Sequence, residues 1–481
     1  MPADAPGLNL CKVIMSAVAL GYPLPTLLNW DGEFDRPEWH FAGSHIAKLE
    51  SLSAVIEELL ESADDDAHED DIALMIDAYD LWFQLPPSVL IQRFNQLNAE
   101  ADERNRKIWE EASAAGGGDF PIAPPKQEII VTSAKDCSPG PDSGSDPHYD
   151  LWPESPMPED LYGEGTDELT PPSWDAARKY RKIRPRCVNS GVIMGTMGAL
   201  RRALQRCREK VDETARKGRQ LWSDQALIGE VIGDQEAWRH WVRDLAQTWD
   251  GAEAQHSSSL HGRFVDSVAE AAMDGTHFEF GIGLDYSFST IPPTCSAEED
   301  GYFVQLSDSE ALGLLSEQAG VPGNVRVKGI PPELYSSGLD KDHLAGVDWA
   351  KEQLYTDFYF GTTPVGIHHN AWIEGLKGWR LKNWWSRMWF FPRLRALIKQ
   401  SLQSSAETAR DLHRIPSDGE DGYEVLYKAP KGAEVTVFRP ACDESPAEFE
   451  PISWDGVCQS GTASAPWHDK LFGDDEGPLE V

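Results

Sequence analysis

The chain has few cysteines, little positive charge and no long apolar run. Seven Cys in 481 residues are too few for a disulfide scaffold. Cys11, Cys137, Cys187, Cys207 and Cys295 show no repeated metal-ligand spacing. Cys442 and Cys458, separated by a polar segment, can form one bridge in an oxidising compartment or remain two thiols, so the compartment is left open. No N-terminal segment approaches the roughly 20 apolar residues of a membrane span, and no signal peptide is evident. Apolar sequence begins at Leu8 almost without a leader, which is also compatible with an anchor removed upstream of Met1. Basic residues number 43 against 80 acidic ones, a formal charge of −37, which excludes an extended nucleic-acid-binding face. A metal ion or a few basic side chains can still hold a phosphate group in such a protein. There is no internal repeat.

What is present favours a large folded unit. Apolar residues make up 41% and charged residues 26%, a balance typical of a chain that buries a core. The length suits one large α/β domain with appendages, or two domains. Eighteen Trp require a packed core or a binding surface. The run Lys12 to Leu20 reads as a buried strand. Ile46, Leu49, Leu52, Val55, Ile56, Leu59 and Leu60 recur at helical spacing, and the acidic run from Glu61 to Asp71 reads as a solvated loop. Ile72 to Ile76 has the continuous apolar form of a central parallel strand covered on both sides. A helix is expected from about Ser88 to Glu111, a strand at Gln127 to Ser133, and helices near Met197 to Gly218 and Asp224 to Trp249. Phe278 to Ser289 and Tyr302 to Leu306 are strand-like. Residues 114–126 and 138–174, rich in Gly, Pro, Ser and Asp, read as surface loops or insertions. The alternation predicts an α/β fold with a doubly wound, mostly parallel sheet flanked by helices. Residues 8–400 would form the main domain. Residues 401–481 would be a polar extension, packed on it or partly disordered, with one extended stretch at Gly422 to Phe438.

In a doubly wound sheet ligands gather beyond the carboxyl ends of strands, where Asp77 and Asp80 follow Ile76. Two carboxylates at a strand end can hold a hard divalent ion that neutralises a diphosphate. A turn cap or a solvated acidic loop is the plain alternative for so short a motif.

Ile76-Asp-Ala-Tyr-Asp-Leu-Trp-Phe83, followed by Arg93-Phe94, resembles the strand, Asp-Ser-Tyr-Asp and helix pattern of the glycosyltransferase domain of procollagen lysyl hydroxylase and glucosyltransferase enzymes, and of related GT-A-type transferases. Later blocks keep the family's order: Ser133-Ala-Lys-Asp-Cys137, Trp152-Pro153, Asn189-Ser-Gly-Val-Ile-Met-Gly195, Ser223-Asp224-Gln225, Leu284-Asp285 and His368-His369-Asn370-Ala371. Between residues 11 and 371 the resemblance implies a GT-A-like fold that moves a sugar from a nucleotide-sugar, a UDP-sugar, to an acceptor hydroxyl with retention of configuration. It implies Asp77, Asp80 and His368 as metal ligands, with His369 as the neighbour that a register error would exchange for His368. The ion implied is Mn²⁺, or alternatively Mg²⁺. On the donor side it implies Lys48 toward phosphate, with a solvated helix lysine as the plain reading, Tyr79 stacked on the base, with an ordinary aromatic packed beside Trp82 as the plain reading, Asn189, Ser190 and Gly191 as a close polar turn, and Asn370 beside His368. Asp224, Gln225 and Asn189 are the implied catalytic groups, with N-capping of the next helix as the plain reading of Asp224 and Gln225. Asp224 and Asp285 are the candidates for an inverting base. The implied location is the Golgi or endoplasmic reticulum lumen if an anchor is missing from this chain, and otherwise the cytoplasm.

The pattern departs from the family at Lys135, where the family has Glu, at Val192, where it has a second Gly, and at His369 and Ala371, where it has two glycines. These departures surround the sugar and acceptor and leave the metal residues intact. The acceptor, whether glycan, protein or small molecule, is therefore undefined, and collagen is not carried over. A hydrolase of nucleotide diphosphates and an inactive nucleotide-sugar-binding scaffold are the alternative functions. Gly375 to Arg393 is the one strongly basic aromatic segment, with Trp379 to Arg393 as its candidate membrane contact. It can meet a membrane surface, bind a saccharide or aromatic acceptor, or close over the core.

Overall fold

The computed structural model describes residues 7–479 except 40–41, 62–67, 119, 139–143, 168–178, 222, 250–261, 337–343, 408, 417–423, 431, 433, 443–444 and 460–465. Most of the acidic run at 61–71 and part of the insertion at 138–174 lie outside the described residues. The protein is a mixed α/β fold with 12 α-helices and several small sheets among the described residues.

Its first element, α1 (Leu8–Ala19), is a helix where the apolar run predicts a strand. Periodicity cannot separate the two in a continuous apolar run. Leu10, Met15, Ala17 and Ala19 favour a helix, and every residue from Leu10 to Ala19 is buried, so all faces of the helix meet protein. After β1 (Thr26–Leu27), α2 (Ala42–Glu61) follows the expected helical stripe. Next come β2 (Ile72–Ile76), β3 (Leu81–Phe83) and α3 (Pro87–Ala115), which opens with proline, a residue whose fixed φ suits a first helical turn. The series continues with β4 (Ile129–Ala134), β5 (Cys187–Thr196), α4 (Met197–Arg216), α5 (Asp224–Gln247), α6 (Arg263–Met273) and β6 (Ile282–Asp285).

The central sheet has the order β2-β5-β4-β6. Strand β5 runs antiparallel to both β2 and β4, whereas β4 and β6 are parallel. The sheet is therefore mixed, not mostly parallel, and β2 is a half-buried edge strand, not a central one. Five apolar residues fit either position, since pairing direction leaves no mark in so short a run. Alternate residues of β4 and β5 face two cores. Ile129, Val131, Val188 and Ile193 pack with α2, α4 and α5, and Ile130, Val192 and Met194 pack with α1, β3 and α3. The β4–β5 register jumps from Val131 opposite Ile193 to Thr132 opposite Asn189. Ser190 and Gly191 consequently bulge out of the sheet beside the end of β2.

The second half supplies β7 (Gly301–Gln305), α7 (Ser309–Ala319), α8 (Glu333–Ser336), β8 (Gln353–Asp357), β9 (Gly366–His368), α9 (Leu376–Asn383) and α10 (Leu394–Glu407). Of the expected strand at Phe278 to Ser289, only β6 pairs. Within the basic aromatic segment, Trp384, Trp385, Trp389 and Phe390 are core residues and Trp379 is 54% exposed. The tryptophans that a membrane contact would need are thus largely spent on packing. No helix among the described residues is long and apolar enough to cross a membrane.

The last residues add β10 (Arg410–Pro416), β11 (Glu424–Ala429), β12 (Val435–Arg439), β13 (Glu448–Ile452), α11 (Trp454–Cys458) and α12 (Trp467–Phe472). Strand β12 pairs with β1, and Trp467, Leu471 and Phe472 enter the same core as α1. Cys458 is bridged to Cys11, not to Cys442, which is an exposed thiol, and a second disulfide joins Cys137 to Cys187. Partners so far apart in sequence are set by the fold, so neighbouring cysteines were a poor guide.

Candidate metal centre

Asp77 leaves the end of β2, its backbone N–H donating to Gly191 O at 2.8 Å. Asp80 immediately precedes β3, whose antiparallel partner is β9, with Leu81 opposite His368. That pairing brings residues almost 300 positions apart to one point. Successive strand residues face opposite ways, so the two adjacent histidines have separate surroundings. His368 faces the carboxylates, whereas the His369 ring lies 4.1 Å from Trp82 and 5.7 Å from Trp384 between ring centroids. Burial, helped by the charge of Arg380, holds the His369 pKa well below the ordinary value. His369 belongs to the aromatic core, and the register places His368 at the centre.

His368 Nε2 lies 3.6 Å from Asp77 Oδ2 and 3.5 Å from Asp80 Oδ2. These separations exceed normal hydrogen bonds. They suit ligands sharing one ion, because two bonds of about 2.1 Å place their donor atoms about 3.0–3.6 Å apart for angles from octahedral to trigonal. One ligand atom from each of the three residues lies within 4.8 Å of the others. Imidazole with two carboxylates is a donor set for a borderline or hard divalent cation such as Mn²⁺.

Asp80 is 3% exposed, and its Oδ2 also meets Lys377 Nζ at 2.6 Å. Burial opposes its ionisation, but the His368 ring and the Lys377 ammonium outweigh that and hold the carboxyl well below the usual range. Burial likewise opposes protonation of His368, and the Asp80 and Asp77 charges reverse the balance and raise its pKa. Among the described residues His368 Nδ1 has no hydrogen-bond partner. The ring is seated against Gly191, where a Cβ would come within 2.3 Å of Cε1 and 2.7 Å of Nδ1. Only a residue without a side chain fits beneath this histidine.

A polar rim lies beside these ligands. Lys48 Nζ donates to Asp77 Oδ1 at 2.9 Å and to Ser190 O at 3.1 Å, and it pairs with Asp224 Oδ2. Ser190 Oγ donates to the same Asp224 oxygen at 2.7 Å. The cap of α5 is Ser223, whose Oγ accepts from Ala226 N, so Asp224 is not used for capping. Burial would raise the Asp224 pKa, but Lys48 and Ser190 lower it overall. Asn189 and Gln225 are joined by an Asn189 Nδ2 to Gln225 Oε1 bond of 3.2 Å, and Gln225 also donates to Ser138 O. Tyr79 is half-buried and packed against the core. Asn370 Oδ1 accepts from Cys295 N at 3.0 Å and anchors the segment after β9.

Asp285 and Lys135, also singled out in the sequence, are both engaged by neighbouring protein groups. Asp285 is 1% exposed, and its carboxylate accepts from the backbone or hydroxyl groups of Ser287, Ser289 and Thr290. Lys135 points into a buried pair with Asp300 at 2.6 Å and donates to Arg181 O and Ser296 O. Lys135 is thus neutralised by Asp300. The residue that sequence reasoning missed is Lys377. Its signal was a lone position in the basic segment following His368, where no spacing distinguishes it from the other lysines and arginines.

No protein-family model and no curated protein matches this chain.

Proposed function

We propose that the chain is a divalent-metal-dependent glycosyltransferase of GT-A type, with a nucleotide-sugar, a UDP-sugar, as donor and an acceptor hydroxyl as second substrate. The observation that carries this reading is the convergence of Asp77, Asp80 and His368 at the end of an edge strand. The fold supports it to the extent that β2, β4 and β6 share a direction, with β5 reversed between β2 and β4. Asp77, Asp80 and His368 would hold Mn²⁺, which when bound supplies positive charge to a departing diphosphate.

The surrounding residues then divide the remaining work. Lys377, half exposed on α9, neutralises Asp80 in this structure. With a divalent ion on the carboxylates its ammonium would be free to turn to a phosphate oxygen. Tyr79 lies beside the ligands for the base, and the Asn189 to Gly191 bulge and Gln225 form a polar edge for the sugar. Retention is favoured because neither candidate inverting base is available. Asp224 is tied to Lys48 and Ser190 and kept acidic, and Asp285 is saturated by its own turn.

The test is calorimetric titration of UDP into the protein with Mn²⁺, after chelation, and in Asp80→Ala. Binding that needs Mn²⁺ and is lost in a folded Asp80→Ala protein is expected. Equal UDP binding in all three conditions would remove the metal from donor recognition. A screen of UDP-sugars, with the product linkage read by NMR, then tests retention.

A further inference from the structure

The resemblance assigns Lys48 to the donor phosphates, but its surroundings assign it elsewhere. An ammonium has three N–H donors. Asp77 Oδ1, Ser190 O and Asp224 Oδ2 supply three acceptors, all from the protein. The Lys48 side chain is 15% exposed, and its neighbours Leu49 and Ser51 on α2 are buried. Nothing in this arrangement leaves a donor for a ligand.

The partition of Asp77 gives the lysine its use. Oδ1 is held by Lys48, and Oδ2 is the oxygen that faces His368 Nε2. Carboxylates that ligate metals are commonly fixed by hydrogen bonds to their other oxygen. The same ammonium reaches α5 through Asp224 and the β5 bulge through Ser190, so one side chain on α2 ties together the end of β2, the bulge and the first turn of α5.

We infer that Lys48 is a positioning residue: it fixes the Asp77 carboxylate so that Oδ2 points at the ion, and it does not contact the donor. This rests on the metal reading above. It also has a sign that a purely electrostatic role lacks. Removing a positive charge beside a cation site should tighten Mn²⁺ binding if charge alone matters. Loss of an orienting partner should weaken it, by about 10–100-fold.

The experiment is Mn²⁺ titration followed by electron paramagnetic resonance of the free ion, without nucleotide, on parent, Lys48→Met and Lys48→Met/Asp224→Asn. The double variant removes the carboxylate that Lys48→Met would strand and guards against simple misfolding. Both variants are expected to bind Mn²⁺ about 10–100-fold more weakly than the parent, and UDP at saturating Mn²⁺ with nearly parental affinity. Parental or tighter Mn²⁺ binding in the folded double variant would overturn the positioning role while leaving the metal centre standing. Parental Mn²⁺ affinity with weakened UDP binding would return Lys48 to the phosphates. Absence of Mn²⁺ binding in the parent would instead remove the metal reading itself.

Discussion

Gly191 is the residue on which the centre is most tightly built. Its φ is not among the positive values, so the backbone there would accept any L residue. Contact with the His368 ring is what demands glycine. Gly191→Ala should therefore disturb the centre before the fold: Mn²⁺ affinity should fall by about tenfold or more, with the melting temperature close to that of the parent. Calorimetry and thermal melting of one preparation check both parts, and parental Mn²⁺ affinity would mean that His368 is not held as described. At this scale much of the candidate centre was legible, because Asp77, Asp80 and His368 are side chains whose chemistry shows in their names. The contacts of Lys48 and Lys377 were not legible in the sequence. Their roles depend on which acceptors lie within reach of the ammonium, a property that only the assembled elements define.

Among the elements, long amphipathic helices were the most readable. α2, α3, α4 and α5 lie where the periodicity predicts, within a few residues at their ends. Short or uniformly apolar segments misled, for one physical reason: burial on all sides erases the period that would tell strand from helix. α1 is the example, and β2 shows the related failure, since an edge position and an antiparallel neighbour leave no local trace. Aromatic density also has two meanings. Trp385 is 3% exposed, donates from Nε1 to Leu471 O at 2.8 Å, and packs 5.1 Å from Trp82. Trp385→Ala should cost about 3–5 kcal/mol of stability, seen as a lower midpoint in denaturant. Weakened binding to anionic vesicles with unchanged stability would instead favour a membrane surface.

Over the whole molecule, the chain closes on itself. The Cys11–Cys458 bridge, the β1–β12 pairing and α12 bring the last residues onto the first helix. The same closure of distant parts makes the centre, because β3 and β9 deliver Asp80 and His368 from opposite ends of the main fold. A formal charge of −37 fits this economy of cations: those near the centre are committed to carboxylates, as Lys48 is to Asp77 and Asp224 and Lys377 is to Asp80. On the proposed function, one divalent ion is shared by this chain and a nucleotide diphosphate. Pulsed electron paramagnetic resonance of the protein with Mn²⁺ and UDP tests it directly. A ¹⁴N coupling from a ligating imidazole is expected together with a ³¹P coupling from the nucleotide, the ¹⁴N signal vanishing in His368→Ala. A spectrum with neither coupling, or a ¹⁴N signal unchanged in that variant, would contradict it.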